Sequence, residues 1–406
     1  MTRILFVAFS NSIHTARWIN QLDGQGWDIH LFPSIDVGTV HPELKNVTVY
    51  HSFYSRQQDI DRSVSLRGIP ILMPHFSKYV AYIGRSALQR TRLHNYRTFQ
   101  LTKLIKRLRP DIIHSREIQS AGYLVSEVKK RYSGQFPKWV VTNFGSDIYL
   151  FGRLASHVDR INEVLTECDY YSCECQRDVQ LAREMGLKGE VLPVLPNTGG
   201  FELERISQFR QPGPTSARRL ILLKGYQNWA GRALTGLRAL ALCANELKGY
   251  RVAVYLANED VQIDAELVSR STGIPIEVIP YCSHDDMLRL YGQARIYLGL
   301  SISDAIPTSL LESMVMGAFP IQSCTSCANE WITDGETGSI VPPEDPEIIA
   351  AAIRRVISDD DLVDRASELN METAKKRLDQ SVIRPEVIKM YQKIVGGERF
   401  TESDSV

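Results

Sequence analysis

The sequence predicts an α/β protein made of two parallel-sheet domains in tandem, and three observations predict it. The chain has 406 residues, more than one hydrophobic core usually supports. Short, near-continuous apolar runs alternate with helix-like stretches, the pattern of parallel strands covered on both faces. The alternation breaks once, at "FRQPGPTSARR" (209–219) with its Pro, Gly and Ser, and then restarts.

The elements follow in order. "RILFVAF" reads as a fully buried strand, "HTARWINQLDGQGW" as a helix with Ala16, Ile19 and Leu22 on its apolar side, and "DIHLFP" as the next strand. "DIIHSR", "WVVTNFG", "YYSCEC" and "EVLPVLPN" are further strands. Beyond the break come "LILLKGY", "RVAVYLA", "IEVIPY", "IYLGLS" and "FPIQS", with helices near 232–248, 260–272, 284–294 and 308–316. Two such domains suit a ligand held between them, at the carboxyl ends of the strands.

An apolar fraction of 44% and a charged fraction of 23% are those of a soluble globular protein. The formal net charge is zero, so nothing global points to nucleic acid. Locally the balance differs. From Arg62 to Pro110 there is no Asp or Glu, against the bases Arg62, Arg67, Lys78, Arg85, Arg90, Arg92, Arg97, Lys103, Lys106, Arg107 and Arg109. Within "GRSALQRTRLHNYRTFQLTKLIKRLRP" they alternate with Leu, Tyr and Phe at roughly helical spacing, as in a surface for anionic lipid or an ordinary solvated face.

"MTRILFVAFSNS" lacks the features of a secretory signal, and no apolar run is long enough to span a bilayer. A cytoplasmic protein is expected, with peripheral attachment to the inner membrane face if the basic stretch binds lipid. The seven Cys include a CxxC (Cys324, Cys327) and a CxC (Cys173, Cys175). Neither has the second pair a zinc site needs, so they read as free thiols and no metal site is predicted.

Chemistry concentrates in "SDAIPTSLLESMVMGAFP" (301–318). Pro307 fits the first turn of a helix. The N–H groups of Thr308, Ser309 and Leu310 then sit at the positive end of the dipole, a phosphate-binding arrangement. Glu312 lies about one turn further in, Leu310, Leu311 and Val315 can face the core, and Gly317 ends the helix. From spacing alone, Asp304 and Glu312 read equally as ligand-holding acids or as a loop acid and an exposed helical one.

This stretch resembles the acid-x7-acid signature of retaining glycosyltransferases of the GT-B fold, family 4 (group 1). The resemblance runs along most of the chain, through "SNSIHTARWINQLDGQGWDIHLF", "DIIHSR", "VVTNFGSDIY", "LPVLPNTGGFE" and "DGETGSIVPPEDPEIIAAAIRRVISD". It implies an acceptor-binding Rossmann-like domain over 1–205, a hinge over 206–218 and a nucleotide-sugar domain over 219–381. A C-terminal helix at about 382–397 would pack back on the first domain. By the same resemblance Glu312 holds the nucleotide ribose and Asp304, shorter than the family's usual Glu, lies by the donor sugar. His14, His114 and Asp147 face the acceptor, while the residues by themselves also read His114 as a strand-end core histidine and Asp147 as a helix N-cap.

Two departures stand out. Where the family has "vGR" and a later Lys, this chain has "LLKGYQNWAGRA": Gly225 matches the Gly, Tyr226 replaces Arg, and Arg232 replaces Lys. Arg232 becomes the main phosphate cation, with Lys224 a second. In "TNFGSD", Phe144 stands where many members have a His. The resemblance implies metal-free transfer of a sugar from a nucleotide diphosphate donor, a co-substrate rather than a cofactor, to a hydroxyl acceptor, in cell-surface polysaccharide or glycolipid synthesis, with a lipid-linked sugar among the acceptors it suggests. A GT-B sugar-nucleotide 2-epimerase and a non-catalytic binding subunit are the alternatives. An NAD enzyme fits less well, because "FVAFSNSIHT" lacks G-x-G-x-x-G after the first strand.

Overall fold

The computed structural model describes residues 1–35, 38–51, 60–68 and 95–400. The chain divides into two compact units, one of Met1–Gly199 with Arg384–Val406 and one of Gly200–Ile383. Both are α/β, and every strand pairing in both is parallel.

The first unit holds β1 (Arg3–Ala8), β2 (Asp28–Pro33), β3 (Thr48–His51), β4 (Ser65–Gly68), β5 (Ile112–Arg116), β6 (Lys138–Thr142), β7 (Tyr170–Ser172) and β8 (Glu190–Val191). Their order is β4-β3-β2-β1-β5-β6-β7-β8, reversing direction of growth between β1 and β5. Ile4 to Ala8 are all fully buried, which is why β1 reads as an unbroken apolar run. Helices cover this sheet, and Leu5, Val7, Ile113, Trp139, Val141 and Leu165 share one core. β8 keeps only two residues of its apolar run, since Pro193 and Pro196 lack the N–H a ladder needs.

The second unit holds β9 (Leu220–Lys224), β10 (Arg251–Tyr255), β11 (Ile276–Ile279), β12 (Ala294–Gly299), β13 (Phe319–Ser323) and β14 (Ser339–Val341). The order β11-β10-β9-β12-β13-β14 reverses between β9 and β12. Helices Glu259–Thr272, His284–Gln293 and Thr308–Met316 stand within one residue of the predicted positions, and Ala233–Leu242 ends before the expected 248, where the chain turns. Ile221, Leu223, Val254, Leu298, Leu240 and Ile353 belong to its core.

Segment 206–218 lies inside the second unit. Arg210 Nη2 donates to Ser367 Oγ (2.6 Å), Thr215 Oγ1 to the Gly317 carbonyl (2.9 Å), and Ser216 N to Asp364 Oδ1 (2.9 Å). The division falls instead at Gly199/Gly200, both with positive φ, and at Ile383/Arg384. The last long helix spans Gln380–Gly396. Its Tyr391 joins a buried relay in the first unit. Trp18 Nε1 donates to Tyr391 Oη (2.9 Å), leaving the Tyr391 proton for His114 Nδ1 (2.5 Å) and the His114 Nε2 proton for Thr142 Oγ1 (2.6 Å).

All seven cysteines are free thiols. Among the described residues, no helix is long and apolar enough to cross a membrane. Of the basic stretch, Lys78, Arg85, Arg90 and Arg92 lie outside the described residues. Asn95–Leu108 is helical, with Lys103, Lys106 and Arg107 exposed. Arg97 is not part of that face: it is buried, stacked 4.1 Å over the Phe32 ring and bonded to the Pro33 carbonyl and, at 3.2 Å, to Gln100 Oε1.

Candidate active site

In an open parallel sheet, the crevice at the carboxyl ends of the strands where the order reverses is the natural ligand site. In the second unit that place is the end of β9 and β12. Lys224 ends β9 and Gly225 follows. The Gly225 N–H donates to the Tyr255 carbonyl at 2.7 Å. A Cβ there would lie 2.8 Å from that oxygen and 2.9 Å from Ala257 Cα, so the turn admits only glycine. Lys224 Nζ sits 4.9 Å above the Tyr226 ring.

The loop leaving β9 zips onto the loop leaving β12. Arg232 N donates to the Leu300 carbonyl (3.0 Å) and Ile302 N to the Ala230 carbonyl (2.9 Å), with Gly231 bridged to Ser301. Asn228 Oδ1 accepts from Ala230 N and Gly231 N, both at 2.9 Å, and stiffens the turn. Backbone pairing thereby sets Arg232 beside residues 300–302. Its guanidinium donates to the exposed Glu344 at 3.0 Å and to the Gly231 carbonyl at 2.9 Å.

Asp304 is half-buried, its Oδ1 accepting from Ala305 N at 2.9 Å. The Tyr226 hydroxyl is pushed up in pKa by burial and then by the charge of Asp304, which places Tyr226 by the acid as well as by Lys224. Pro307 caps helix Thr308–Met316 from just outside it, one position earlier than predicted. Its carbonyl accepts from Leu310 N (2.9 Å) and Leu311 N (3.3 Å). Leu310's N–H is therefore engaged, correcting the expectation that it is open to a ligand. Among the described residues, the N–H groups of Thr308 and Ser309 have no backbone acceptor. Gly317 ends the helix in the left-handed conformation.

Glu312 is buried, 7% exposed, which removes the reading of it as an exposed helical acid. Its Oε1 accepts from His284 Nε2 at 2.7 Å. Behind it, the Tyr255 and Tyr291 hydroxyls are bonded at 2.7 Å and Tyr297 donates to Ser309 Oγ at 2.7 Å. Burial raises the pKa of all three tyrosines, and the Glu312 charge adds to it. The segments that follow β9 and β12 thus carry a paired cation, a helix start and two acids.

In the first unit, His14 opens helix Ile13–Asn20 after β1, half-buried, its ring 6.2 Å from that of Phe144. Asp147 is buried, and its Oδ2 accepts from Phe144 N and Ile118 N, both at 3.1 Å. Burial, and then the charge of Glu117, push its pKa up to about 8. His114 is corrected from a ligand-facing residue to a core one. It is fully buried with both ring nitrogens bonded, and burial, with Arg116 beside it, holds its pKa well below the usual range.

Two residues escaped the sequence. Glu117, at the end of β5, has φ 79°, a strained setting for a non-glycine residue. Its carboxylate accepts from Ser120 N (2.8 Å) and from Ala121 N. No spacing marks it. His284 is flagged only by Ser283, a readable helix cap whose Oγ accepts from Asp286 N.

Comparison with known proteins bears on the family and the fold. The family described as "Glycosyl transferases group 1" matches residues 251–373, and "Glycosyl transferase 4-like" matches 3–72 and 79–167. No curated protein matches the sequence. Sucrose-phosphate synthase from Thermosynechococcus elongatus is similar in structure, with a TM-score of 0.68 at 13% identity, covering 98% of this chain and 100% of that one. Anabaena HepE in complex with UDP-glucose gives 0.65 at 13%, covering 97% and 100%. A glycosyltransferase from Rickettsia africae gives 0.60 at 16%, covering 97% and 98%.

Proposed function

The chain belongs to the group 1 glycosyltransferases and has their GT-B fold, and from that premise we propose that it moves a sugar from a nucleoside diphosphate donor to a hydroxyl acceptor with retention at the anomeric carbon. One observation carries the reading: backbone pairing of the two loops at the β9/β12 reversal brings Gly231 and Arg232 against Leu300, Ser301 and Ile302, on the loop that leads through Asp304 to the helix bearing Glu312.

The roles follow from chemistry. Arg232 and the N–H groups of Thr308 and Ser309 meet the diphosphate, with Lys224 as a second cation, so positive charge is in place before charge grows on the leaving group. Glu312 accepts from the ribose hydroxyls and Asp304 from the donor sugar. The bond from the anomeric carbon to the diphosphate oxygen breaks as the bond to the acceptor oxygen forms on the same face. The acceptor proton passes to the departing phosphate oxygen, so the step does not depend on a His at Phe144. Glu344, paired with Arg232, gives way to the phosphates. The acceptor is assigned to the first unit, with His14 and Asp147.

The diphosphate charge is met by protein groups, so turnover is expected to persist in a chelator. UDP-glucose, held by the similar Anabaena protein, is the first donor to test. NMR of a reaction with UDP-glucose and an acceptor mixture should show UDP release only with acceptor, and an α-linked product. An inverted product contradicts retention. Rearrangement of a sugar nucleotide without acceptor marks the epimerase, and binding without turnover marks a non-catalytic subunit.

Attachment to anionic membrane is proposed through the exposed Lys103, Lys106 and Arg107, serving polysaccharide or glycolipid synthesis at the inner face. Changing the three to Glu should abolish sedimentation with phosphatidylglycerol vesicles. Unchanged sedimentation removes the idea.

A further inference from the structure

We infer that His284 is a positioning residue for the donor, fixing the Glu312 carboxylate so that it accepts both hydroxyls of a vicinal diol. The inference rests on the reading of Glu312 as the ribose-holding acid and adds a residue to it.

A carboxylate nine-tenths buried needs partners, because burial strips its water. The only side chain bonded to Glu312 among the described residues is His284, through Nε2 at 2.7 Å. An ionised carboxylate only accepts, so Nε2 carries the proton in this bond. His284 is itself fixed at the backbone. It is the first residue of helix His284–Gln293, whose cap Ser283 accepts from Asp286 N and donates to Asp286 Oδ2 at 2.6 Å. About two turns further along, Tyr291 of the same helix is 1% exposed and bonded to Tyr255. Helix His284–Gln293 therefore presents a hydroxyl network at the back of the acid and an imidazole at its side.

That arrangement leaves a consequence for binding. A carboxylate has about four lone-pair directions, and His284 occupies one on Oε1. The other oxygen and the remaining direction stay for a ligand, with rotation of the carboxylate about its last bond removed. A diol asks for two simultaneous bonds, so it gains most from a locked acceptor. A ligand without the diol gains nothing from it. His284 should therefore set the preference for a ribose over a dideoxyribose, and leave the chemical step alone.

The test titrates UDP and 2′,3′-dideoxy-UDP into the full chain by calorimetry. The native protein is expected to prefer UDP by about tenfold or more. His284→Ala should lose most of that preference by weakening UDP alone, with dideoxy-UDP binding unchanged as the control for folding. His284→Gln, whose amide N–H can reach the carboxylate, should recover most of it. In turnover, KM for the donor should rise in His284→Ala with kcat held. If His284→Ala keeps the preference while Glu312→Ala loses it, the inference is overturned and the donor site stands. If Glu312→Ala also keeps it, or the native chain does not bind UDP or binds both probes alike, the donor-site reading fails and the inference with it.

Discussion

At Asp147 a single carboxyl shows what burial does to an acid. Its pKa rises to about 8, first through burial and then through the nearby Glu117, despite two backbone N–H bonds that favour the charged form. A raised acid holds its proton better folded than unfolded. Its stabilising contribution is then complete below the unfolded value of about 4 and is lost as pH climbs through about 8. Asp147→Asn keeps the acceptor and cannot ionise. Urea unfolding at pH 5 and pH 8 should show the native protein losing more stability than the variant over that interval; equal losses contradict the burial argument. A residue's setting was legible where local spacing encodes it, as at Gly317, which ends its helix, whereas spacing left Asp304 and Glu312 open. It was not legible where a distant partner decides. His114 was settled as a core residue by Tyr391, 277 positions away, and the partner of Glu312 lies 28 positions upstream on another helix.

Elements that fill a core on both faces announce themselves, since every residue of β1 after Arg3 is apolar and buried. The strands that the sequence hid, β3, β4 and β14, are short, and of the three only β4 lacks such burial. β4 is "SLRG", exposed along its whole length, and β14 has three residues within a turn-rich segment. The most constrained turn is the one after β9, where Gly225 passes within van der Waals reach of the β10 backbone. Gly225→Ala forces a Cβ against backbone atoms that cannot step aside. A cost of about 1–3 kcal/mol is expected, read as a lowered melting temperature. Donor affinity should fall with it, because the same turn orients Lys224 and leads to Arg232. A variant as stable as the native chain would show that the turn is not under this constraint.

For the molecule as a whole, sequence distance is a poor guide to partnership. The residues after Arg384 belong with Met1–Gly199, and Tyr391 completes the relay from Trp18 to His114 in the first unit's core. Tyr391→Phe leaves the Trp18 and His114 nitrogens without their oxygen. A loss of about 1–3 kcal/mol is expected, and hydrogen exchange should quicken in β1, β5 and β6 while β9 and β12 keep their protection. Equal quickening in both sheets would contradict the assignment of the C-terminal segment to the first unit alone. The central claim is that the β9/β12 reversal binds a diphosphate through Arg232 and a helix start. Calorimetric titration of UDP and of uridine into the native chain and Arg232→Met tests it most directly. UDP binding should be weakened about tenfold to a hundredfold in the variant, with uridine bound equally by both. UDP binding that is the same in native and variant chains would contradict it.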